Sequence, residues 1–138
     1  MRHFKILPLL SFLLLSGCTD TLVRDNSPVE IVLDEEFKLG VGESAIFPAK
    51  FLSIRFIRLE SDGRCALGTA CIWAGNAKII IEIDNEKHEL NTTLDPLSLD
   101  FRGLNVKLTS LTPFPVSGYN FDKSDYVAGI TVSDESVE

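Results

Sequence analysis

The sequence predicts an all-β fold, a single antiparallel β-sandwich or Greek-key barrel of seven to nine short strands. Apolar side chains recur at every second position in several short runs, which is the period of a half-buried strand. Turn-forming residues separate these runs at short, regular spacing. No window of a dozen residues has the 3.6-residue apolar period of a helix. A chain of 138 residues, 45% hydrophobic and 24% charged, suits one globular domain.

The first predicted strands lie between residues 29 and 56. Val29–Leu33 and Glu36–Leu39 alternate apolar with polar residues, and the second run ends at the turn signal Gly40-Val41-Gly42. Ser44–Phe47 ends at a proline, which cannot donate a ladder hydrogen bond. Leu52–Phe56 has apolar residues at its first, third and fifth positions, so we expect one of its faces to be buried.

The remaining predicted strands lie between residues 77 and 132. Ala77–Ile83 places an apolar residue at every odd position, which makes it one of the clearest strands in the sequence. Asp84-Asn85-Glu86 predicts a hairpin turn after it, and Arg102-Gly103 marks a second turn. The other predicted strands are Lys87–Asn91, Leu97–Phe101, Val106–Leu108 and Tyr126–Val132.

The first eighteen residues predict export and lipidation. A short basic start precedes the apolar run Ile6–Leu15, which is too short to cross a hydrocarbon core of about 30 Å as a helix and is typical of a secretory signal peptide. The run ends in Leu15-Ser16-Gly17-Cys18, which looks like a bacterial lipobox. In such signals the cysteine thiol takes a diacylglycerol, the chain is cut before it, and the new amine is acylated. An ordinary signal peptide with a chance cysteine is the alternative.

We therefore expect three segments: a cleaved lipoprotein signal peptide at 1–17, a lipidated tether at 18–28 and a β-sandwich domain at 29–138. The tether is polar, with Asp, Asn, Ser and Pro. The lipid on Cys18 makes the membrane the expected partner. Thr19 replaces the aspartate linked to inner-membrane retention in enteric bacteria, so the expected location is the outer membrane of a bacterial cell envelope.

The acidic balance excludes one class of partner. The chain has 20 acidic and 13 basic side chains, and the predicted signal carries two of the basic ones, so the mature charge is 11 − 20 = −9. Nucleic-acid binding needs clustered Lys and Arg, and we expect none. The remaining acids are scattered without the spacing of a calcium loop. A solvated surface is the default interpretation, and we expect no metal or cofactor.

The odd number of cysteines is explained if Cys18 carries lipid and the other two form a pair. Exported proteins meet an oxidising compartment, so a Cys65–Cys71 disulfide is expected. The closed loop has seven residues, for which chain entropy gives a stabilisation of about 2.4 kcal/mol. A zinc site needs four ligands, and these two cysteines with one remote histidine do not supply them. Free thiols remain the other alternative.

The cysteine loop resembles a motif of a widespread group of uncharacterised bacterial lipoproteins, found especially in Bacteroidetes-type organisms. The group shares a Gly-Glu-Ser segment, then a strand that ends in Asp-Ser-Arg-Cys-Pro, and then Cys-Val/Ile-Trp-Ala-Gly-Asn/Glu-Ala. Here Gly63 and Ala66 depart from the Ser and Pro of that pattern. The resemblance implies a β-rich exported domain and transfers no catalytic residue. The matching segments are Gly42-Glu43-Ser44, Arg64-Cys65, Cys71–Ala77, Pro113 and Asp125-Tyr126.

Four residues near the loop or in the next strands are candidates for a role beyond packing. Trp73 is expected to pack in the core beside the disulfide, with ligand stacking as the alternative. Asp62 and Arg64 are expected to form a partly exposed ion pair. Arg64 on a constrained loop could also be a reactive-site residue of a protease inhibitor. His88 is expected to be an exposed structural histidine rather than a general base.

These observations favour a lipid-anchored cell-envelope β-sandwich that serves as a binding or structural module of unknown ligand. No Gly-x-Ser-x-Gly, His-Glu-x-x-His or phosphate-binding glycine loop occurs, so an enzyme is not expected. The alternative is an envelope inhibitor of a cationic enzyme, such as a lysozyme or a protease. Its acidic charge would favour encounter with a basic partner.

Overall fold

The computed structural model describes residues 27–134 and confirms the all-β prediction. The predicted signal peptide, Cys18 and most of the predicted tether lie outside the described residues. Apart from two single-turn 3-10 helices, Pro48–Lys50 and Lys123–Asp125, the described chain forms strands and loops. The strands are β1 Val29–Glu30, β2 Phe37–Gly40, β3 Ser44–Phe47, β4 Leu52–Asp62, β5 Ala77–Ile83, β6 Glu86–Asn91, β7 Ser98–Phe101, β8 Leu104–Thr112 and β9 Val127–Asp134.

The nine strands form two sheets that pack as a sandwich. The first sheet has the order β1-β3-β4-β5-β6, and the second has the order β2-β9-β8-β7. Every hydrogen-bonded pair is antiparallel except β1 with β3. The chain therefore changes sheets after β1, after β2 and after β6. No helix among residues 27–134 is long and apolar enough to cross a membrane.

Both predicted hairpin turns are confirmed, and their backbone explains the residues that occupy them. Asp84 and Asn85 join β5 to β6 with φ angles of 46° and 72°. Arg102 and Gly103 join β7 to β8 with φ angles of 52° and 77°. Two consecutive residues with positive φ form the turn whose twist matches that of the flanking strands, and Asn, Asp and Gly adopt this conformation most readily.

The core lies between the sheets and is built from the alternating rows that the sequence contains. All four odd-numbered side chains of β5 are fully buried, as are Ala128, Ile130 and Val132 of β9. In β4 the buried positions are Leu52, Ile54 and Phe56, and then Leu59. A bulge between Phe56 and Arg58 causes that change of phase. The bulge also lets β4 run on past the predicted end of the strand.

The first predicted strand is shorter than expected. Only Val29 and Glu30 pair with β3, although Val29–Leu33 alternates throughout. The reason is the change of sheet: by Asp34 the backbone amide donates to Val132 O, at 2.9 Å, in the second sheet. Ile31 remains buried at the crossing, so its apolar character reflects the core rather than a longer strand.

One end of the sandwich, here named the loop end, carries the longest connections. β4 and β8 finish there and β5 and β9 begin there, as the antiparallel pairings require. The connections at the loop end are 41–43, 63–76, 92–97 and 113–126. The opposite end has the short turns 84–85 and 102–103 and the segment 48–51. The cysteine motif therefore lies at the loop end.

Candidate functional site at the loop end

The cysteine loop, residues 63–76, leaves β4 and returns as β5. Cys65 and Cys71 form the expected disulfide, with their Cα atoms 6.0 Å apart. Below it the two arms of the loop continue the β4–β5 ladder: Gly63 N donates to Asn76 O at 2.8 Å, and Cys65 N donates to Ala74 O at 2.8 Å. The disulfide and these two hydrogen bonds fix the base of the loop on the sheet.

Gly75 and Asn76 have structural roles in this base. Gly75 has φ +74°, and a Cβ at this position would collide with the carbonyl oxygen of Gly63. The side-chain oxygen of Asn76, Oδ1, accepts from Thr93 N at 3.0 Å and Leu94 N at 3.3 Å, while its side-chain nitrogen Nδ2 donates to Asn91 Oδ1 at 2.9 Å. Asn76 thus ties the cysteine loop to the neighbouring loop 92–97.

Asp62 and Arg64 form the expected ion pair, but the pair is buried rather than partly exposed. Arg64 donates from Nε to Asp62 Oδ1 at 2.9 Å and from a terminal nitrogen to Asp62 Oδ2 at 2.6 Å. Their side chains are 6% and 8% exposed. Tyr126 donates its hydroxyl to the same Asp62 Oδ2 at 3.0 Å. Adjacent strand ends of both sheets cover the pair, which sequence spacing alone does not reveal.

Arg64 also holds the second sheet against the cysteine loop. Its guanidinium donates to Leu111 O at 2.6 Å and to Pro113 O at 2.8 Å, and it lies 4.7 Å from the centre of the Phe114 ring. All of these partners are at or just after the end of β8. The Arg64 side chain is therefore enclosed and satisfied, unlike a reactive-site residue that must enter the pocket of a protease.

The buried pair shifts the pKa of two groups. Burial alone would raise the pKa of the Asp62 carboxyl, but the hydrogen bonds and charge of Arg64, together with the Tyr126 hydroxyl, lower that pKa below its usual range. Burial, and then the hydrogen bond to the Asp62 carboxylate and its charge, raise the pKa of Tyr126. The network is therefore an ionised Asp62 held between a guanidinium and a neutral phenol.

The expectation that Trp73 packs in the core is wrong. Trp73 is 56% exposed, and its neighbour Ile72 is fully exposed. Both residues follow Cys71 and lie beyond the hydrogen bond between Cys65 and Ala74, the last rung that extends the sheet. The disulfide closes the loop outside the two-sheet core, so the tip has no opposite sheet to pack against. The structure leaves the indole face of Trp73 free to contact another molecule.

A second loop lies against the tip of the cysteine loop. Leu67 N donates to Pro115 O at 2.8 Å, and Ser117 N donates back to Leu67 O at 3.0 Å. These bonds place three exposed side chains of the second loop, Phe114, Val116 and Tyr119, beside those of the first. We name the combined surface the apolar patch. Its members are Leu67, Ile72, Trp73, Phe114, Val116 and Tyr119.

The apolar patch is unusual for this acidic protein. Neither 65–76 nor 113–121 contains a charged residue, although 24% of the whole chain is charged. Among the exposed large apolar side chains of the described residues, only Val29, Val32 and Phe51 lie outside the loop-end connections 63–76, 92–97 and 113–126. Exposed apolar residues scattered singly need no explanation, but clusters of them mark interaction surfaces.

A cavity of about 280 Å³ adjoins the patch but offers little free polar chemistry. Its polar side chains include Asp62 and Tyr126, which are already bonded to each other. Within residues 27–134, no group of three or more His, Cys, Asp or Glu side chains is arranged to hold a metal ion. The apolar surface next to the cavity is the more distinctive feature.

His88 lies away from this patch, in the middle of β6, and is less exposed than expected. Its side chain is 27% exposed, and its ring meets that of Phe101 edge-on with 5.8 Å between centroids. Nε2 is buried without a hydrogen-bond partner and lies 3.9 Å from Glu86 Oε2. The contact with Phe101 gives His88 a packing role at the edge of the core.

The sequence interpretation singled out Trp73, Arg64 and Asp62 but missed the second loop. Phe114, Val116 and Tyr119 are spread over a segment with two prolines, which reads as a chain break. The available signal was the absence of charge from 113–121 in an otherwise charged chain. Comparison with protein-family models, with curated proteins and with solved structures gives no match for this chain.

Proposed function

We propose that this chain is a lipid-anchored protein of the bacterial cell envelope, and that its β-sandwich serves there as a binding or structural module. The observation that carries the proposal is Leu15-Ser16-Gly17-Cys18 at the end of a short apolar run. A thioether-linked diacylglycerol and an N-acyl chain bury many CH₂ groups at about 0.8 kcal/mol each, which suffices for stable anchoring. The proposed location is the outer membrane.

Two features of the described residues support this proposal. A disulfide at Cys65–Cys71 suits an exported protein, because such bonds persist in oxidising compartments. The apolar patch provides a surface for contact with another molecule without any catalytic group. Its side chains extend from two loops whose bases are fixed by the sheet ladder, the disulfide and Arg64. The entropy cost of ordering these loops when a partner binds is therefore small.

The anchor is tested by replacing Cys18 with serine in the full chain and fractionating the cells. We expect Cys18→Ser to move the protein from the membrane fraction to the soluble fraction. The matched control is the double variant Cys65→Ser/Cys71→Ser, which removes two cysteines but leaves the lipobox intact and should remain in the membrane. Retention of Cys18→Ser in the membrane fraction would refute the proposed anchor.

Inhibition of a cationic enzyme is the second candidate, and the mature charge of −9 derived from the sequence favours it. Because Arg64 is buried against Asp62, this version relies on charge and on the exposed loop tip rather than on Arg64. The soluble Cys18→Ser chain should then capture lysozyme at low salt and release it as salt screens the charges. Absence of capture at low salt would exclude lysozyme as the target.

A further inference from the structure

We propose that two copies of this chain pair through β6 and form a symmetric dimer, in which the first sheet continues from one molecule into the other. The pairing is antiparallel and centred on His88, so that Lys87 of each copy lies opposite Glu89 of the other. This inference does not depend on the lipid anchor. It concerns the free edge of the first sheet rather than the apolar patch, and its partner is a second copy of the chain.

The first observation is that β6 leaves one side of its backbone unpaired. β6 is the last strand of the first sheet, and β5 is its only partner in that sheet. The bond from Thr92 N to Ala77 O shows that the even-numbered residues direct their N–H and C=O groups toward β5. Lys87 and Glu89 therefore direct theirs outward, and within residues 27–134 these groups have no hydrogen-bond partner. An edge of this kind is a template for pairing with another chain.

The other edge strands of the described sandwich are less suited to self-pairing. β1 has two residues and β2 and β7 have four each, whereas β6 has six. The edge of β2 is blocked, because Gly40 N donates to Glu43 Oε2 at 2.8 Å and Glu43 N donates to Gly40 O at 2.9 Å. β7 carries the acidic Asp100 and no basic residue. Among these edges, β6 combines length and free backbone groups with charges of both signs.

The second observation is that the charges of β6 select one register. Only its odd-numbered residues have outward backbone groups, so an antiparallel copy must align odd residues with odd ones. Aligning Lys87 with its own copy, or Glu89 with its own copy, places like charges opposite each other, which is destabilising. The register between these two places Lys87 opposite Glu89 twice and His88 at the centre. It forms four backbone hydrogen bonds and two ion pairs.

Both charged groups are available for these ion pairs. Lys87 is exposed, and the Glu89 side chain is 40% exposed. Glu89 Oε1 accepts from Lys78 Nζ at 2.9 Å and from Asn91 Nδ2 at 3.4 Å. These hydrogen bonds lower the pKa of the Glu89 carboxyl, so it is ionised at neutral pH. Because a carboxylate accepts on both oxygens, Oε2 can accept from Lys87 of the second copy.

Charge reversal tests this register in the purified Cys18→Ser chain, in which lipid does not drive association. We expect sedimentation equilibrium to give the mass of two chains as the protein concentration rises. Lys87→Glu places Glu opposite Glu89, and Glu89→Lys places Lys opposite Lys87, so each variant alone should have the mass of one chain. An equimolar mixture of the two variants should regain the mass of two chains, because each meets the opposite charge in the other.

The matched control is Lys38→Glu, which changes the net charge by the same amount on the edge strand β2. This variant should associate as the parent chain does, because β2 takes no part in the pairing. Far-ultraviolet circular dichroism checks that every variant keeps the fold. Recovery of the dimer on mixing also separates a lost interface from a lost fold, because a misfolded chain would not regain a partner.

A cysteine at the centre tests the same register by a covalent bond. In the proposed dimer the two His88 residues form a non-hydrogen-bonded pair, whose Cα atoms lie about 4.5 Å apart, within the range of about 4.4–6.8 Å that a disulfide spans. Oxidised His88→Cys should therefore run as a covalent dimer on non-reducing gels, and adding Lys87→Glu should abolish it. The parent chain and Phe51→Cys, at a position that is 91% exposed beside the far turns, should stay monomeric.

Three results would overturn the proposed dimer. The first is a single-chain mass for the parent at every concentration. The second is an unchanged dimer in Lys87→Glu, which would assign the association to another surface such as the apolar patch. The third is cross-linking of Phe51→Cys as efficient as that of His88→Cys, which would show that the copies meet by chance collision.

Discussion

Replacing Arg64 by alanine should destabilise the fold more than any exposed substitution at the loop end. The change removes the guanidinium that makes two hydrogen bonds to Asp62 and one each to Leu111 O and Pro113 O. It leaves the Asp62 carboxylate, which is 8% exposed, with the Tyr126 hydroxyl as its remaining side-chain partner. The base of the cysteine loop also loses its link to β8.

The expected magnitude follows from the burial of the pair. Removing one partner of a buried ion pair costs about 3–5 kcal/mol, because the other charge stays buried without compensation. Small domains are stable by about 5–15 kcal/mol, so the loss is a large fraction of the total. A domain of just over 100 residues lies between the size classes that shift by about 4–8 °C and about 2–4 °C per kcal/mol, so at about 3–4 °C per kcal/mol the melting temperature should fall by about 9 °C or more.

The cost should also depend on pH with a defined sign. In the native protein, Arg64 keeps the pKa of Asp62 low, so the stabilisation is complete above the unfolded pKa and is lost as pH falls through the folded pKa. Without Arg64, burial dominates and raises the pKa of Asp62. Lowering the pH then protonates the buried carboxyl of the variant and reduces the destabilisation that its unpaired charge causes. The difference in unfolding free energy should therefore be largest at neutral pH, should begin to shrink as the pH falls through the raised pKa of the variant, and should shrink further below about pH 4, where the native protein also loses stability.

Urea unfolding, followed by circular dichroism on the Cys18→Ser background at neutral and acidic pH, measures both effects. The matched control is Arg58→Ala, in β4, whose ion pair with Glu60 is 50% and 44% exposed and should contribute less than about 1 kcal/mol. A cost for Arg64→Ala as small as that of Arg58→Ala, or equal at both pH values, would refute this account of the buried pair.

Three further substitutions test the rest of the site. Replacing Cys65 and Cys71 by serine should lower the unfolding free energy by about 2.4 kcal/mol, measured by urea unfolding; no change would mean that the bond does not form in the purified protein. Gly75→Ala should lower the unfolding free energy by more than the roughly 1–2 kcal/mol that a positive φ alone costs, because its Cβ would also meet the carbonyl oxygen of Gly63. Gly103→Ala, at φ +77° with nothing near its Cβ, should lower it by about 1–2 kcal/mol. Equal melting temperatures of the two variants would contradict the close approach at Gly75. Trp73→Ala should change the unfolding free energy by less than about 0.5 kcal/mol, because the side chain is exposed. A fall in melting temperature larger than this corresponds to would show that Trp73 packs against the domain.

The strands and turns were largely predictable because their determinants are local. The alternation of Ala77–Ile83 and the Asp84-Asn85 turn each specify a conformation without reference to the rest of the chain. Where the expectation failed in Val29–Leu33, the change of sheet after Glu30 decided the outcome. That crossing depends on Asp34 meeting Val132, nearly a hundred residues later, and no local pattern encodes it.

The residues of the cysteine loop were predictable as candidates, but their surroundings and the second loop, 113–121, were not. A single residue separates Asp62 from Arg64, so a pair was expected, yet its burial depends on β8 and on Tyr126, distant in sequence. For Trp73 the prediction of burial was wrong. An aromatic residue beside a disulfide suggests core packing, but this disulfide closes a loop that lies outside the two sheets, so the side chain is exposed. Burial is a property of the assembled sandwich, which residue type and spacing do not determine.

The central claim is that Cys18 carries the lipid that places this domain at a membrane. Intact mass spectrometry of the protein extracted from the membrane fraction tests it most directly. We predict a chain that begins at Cys18, with residues 1–17 removed and the mass raised by a diacylglyceryl group and one acyl chain. A chain that retains residues 1–17, or one that begins elsewhere and carries no added mass, would contradict it.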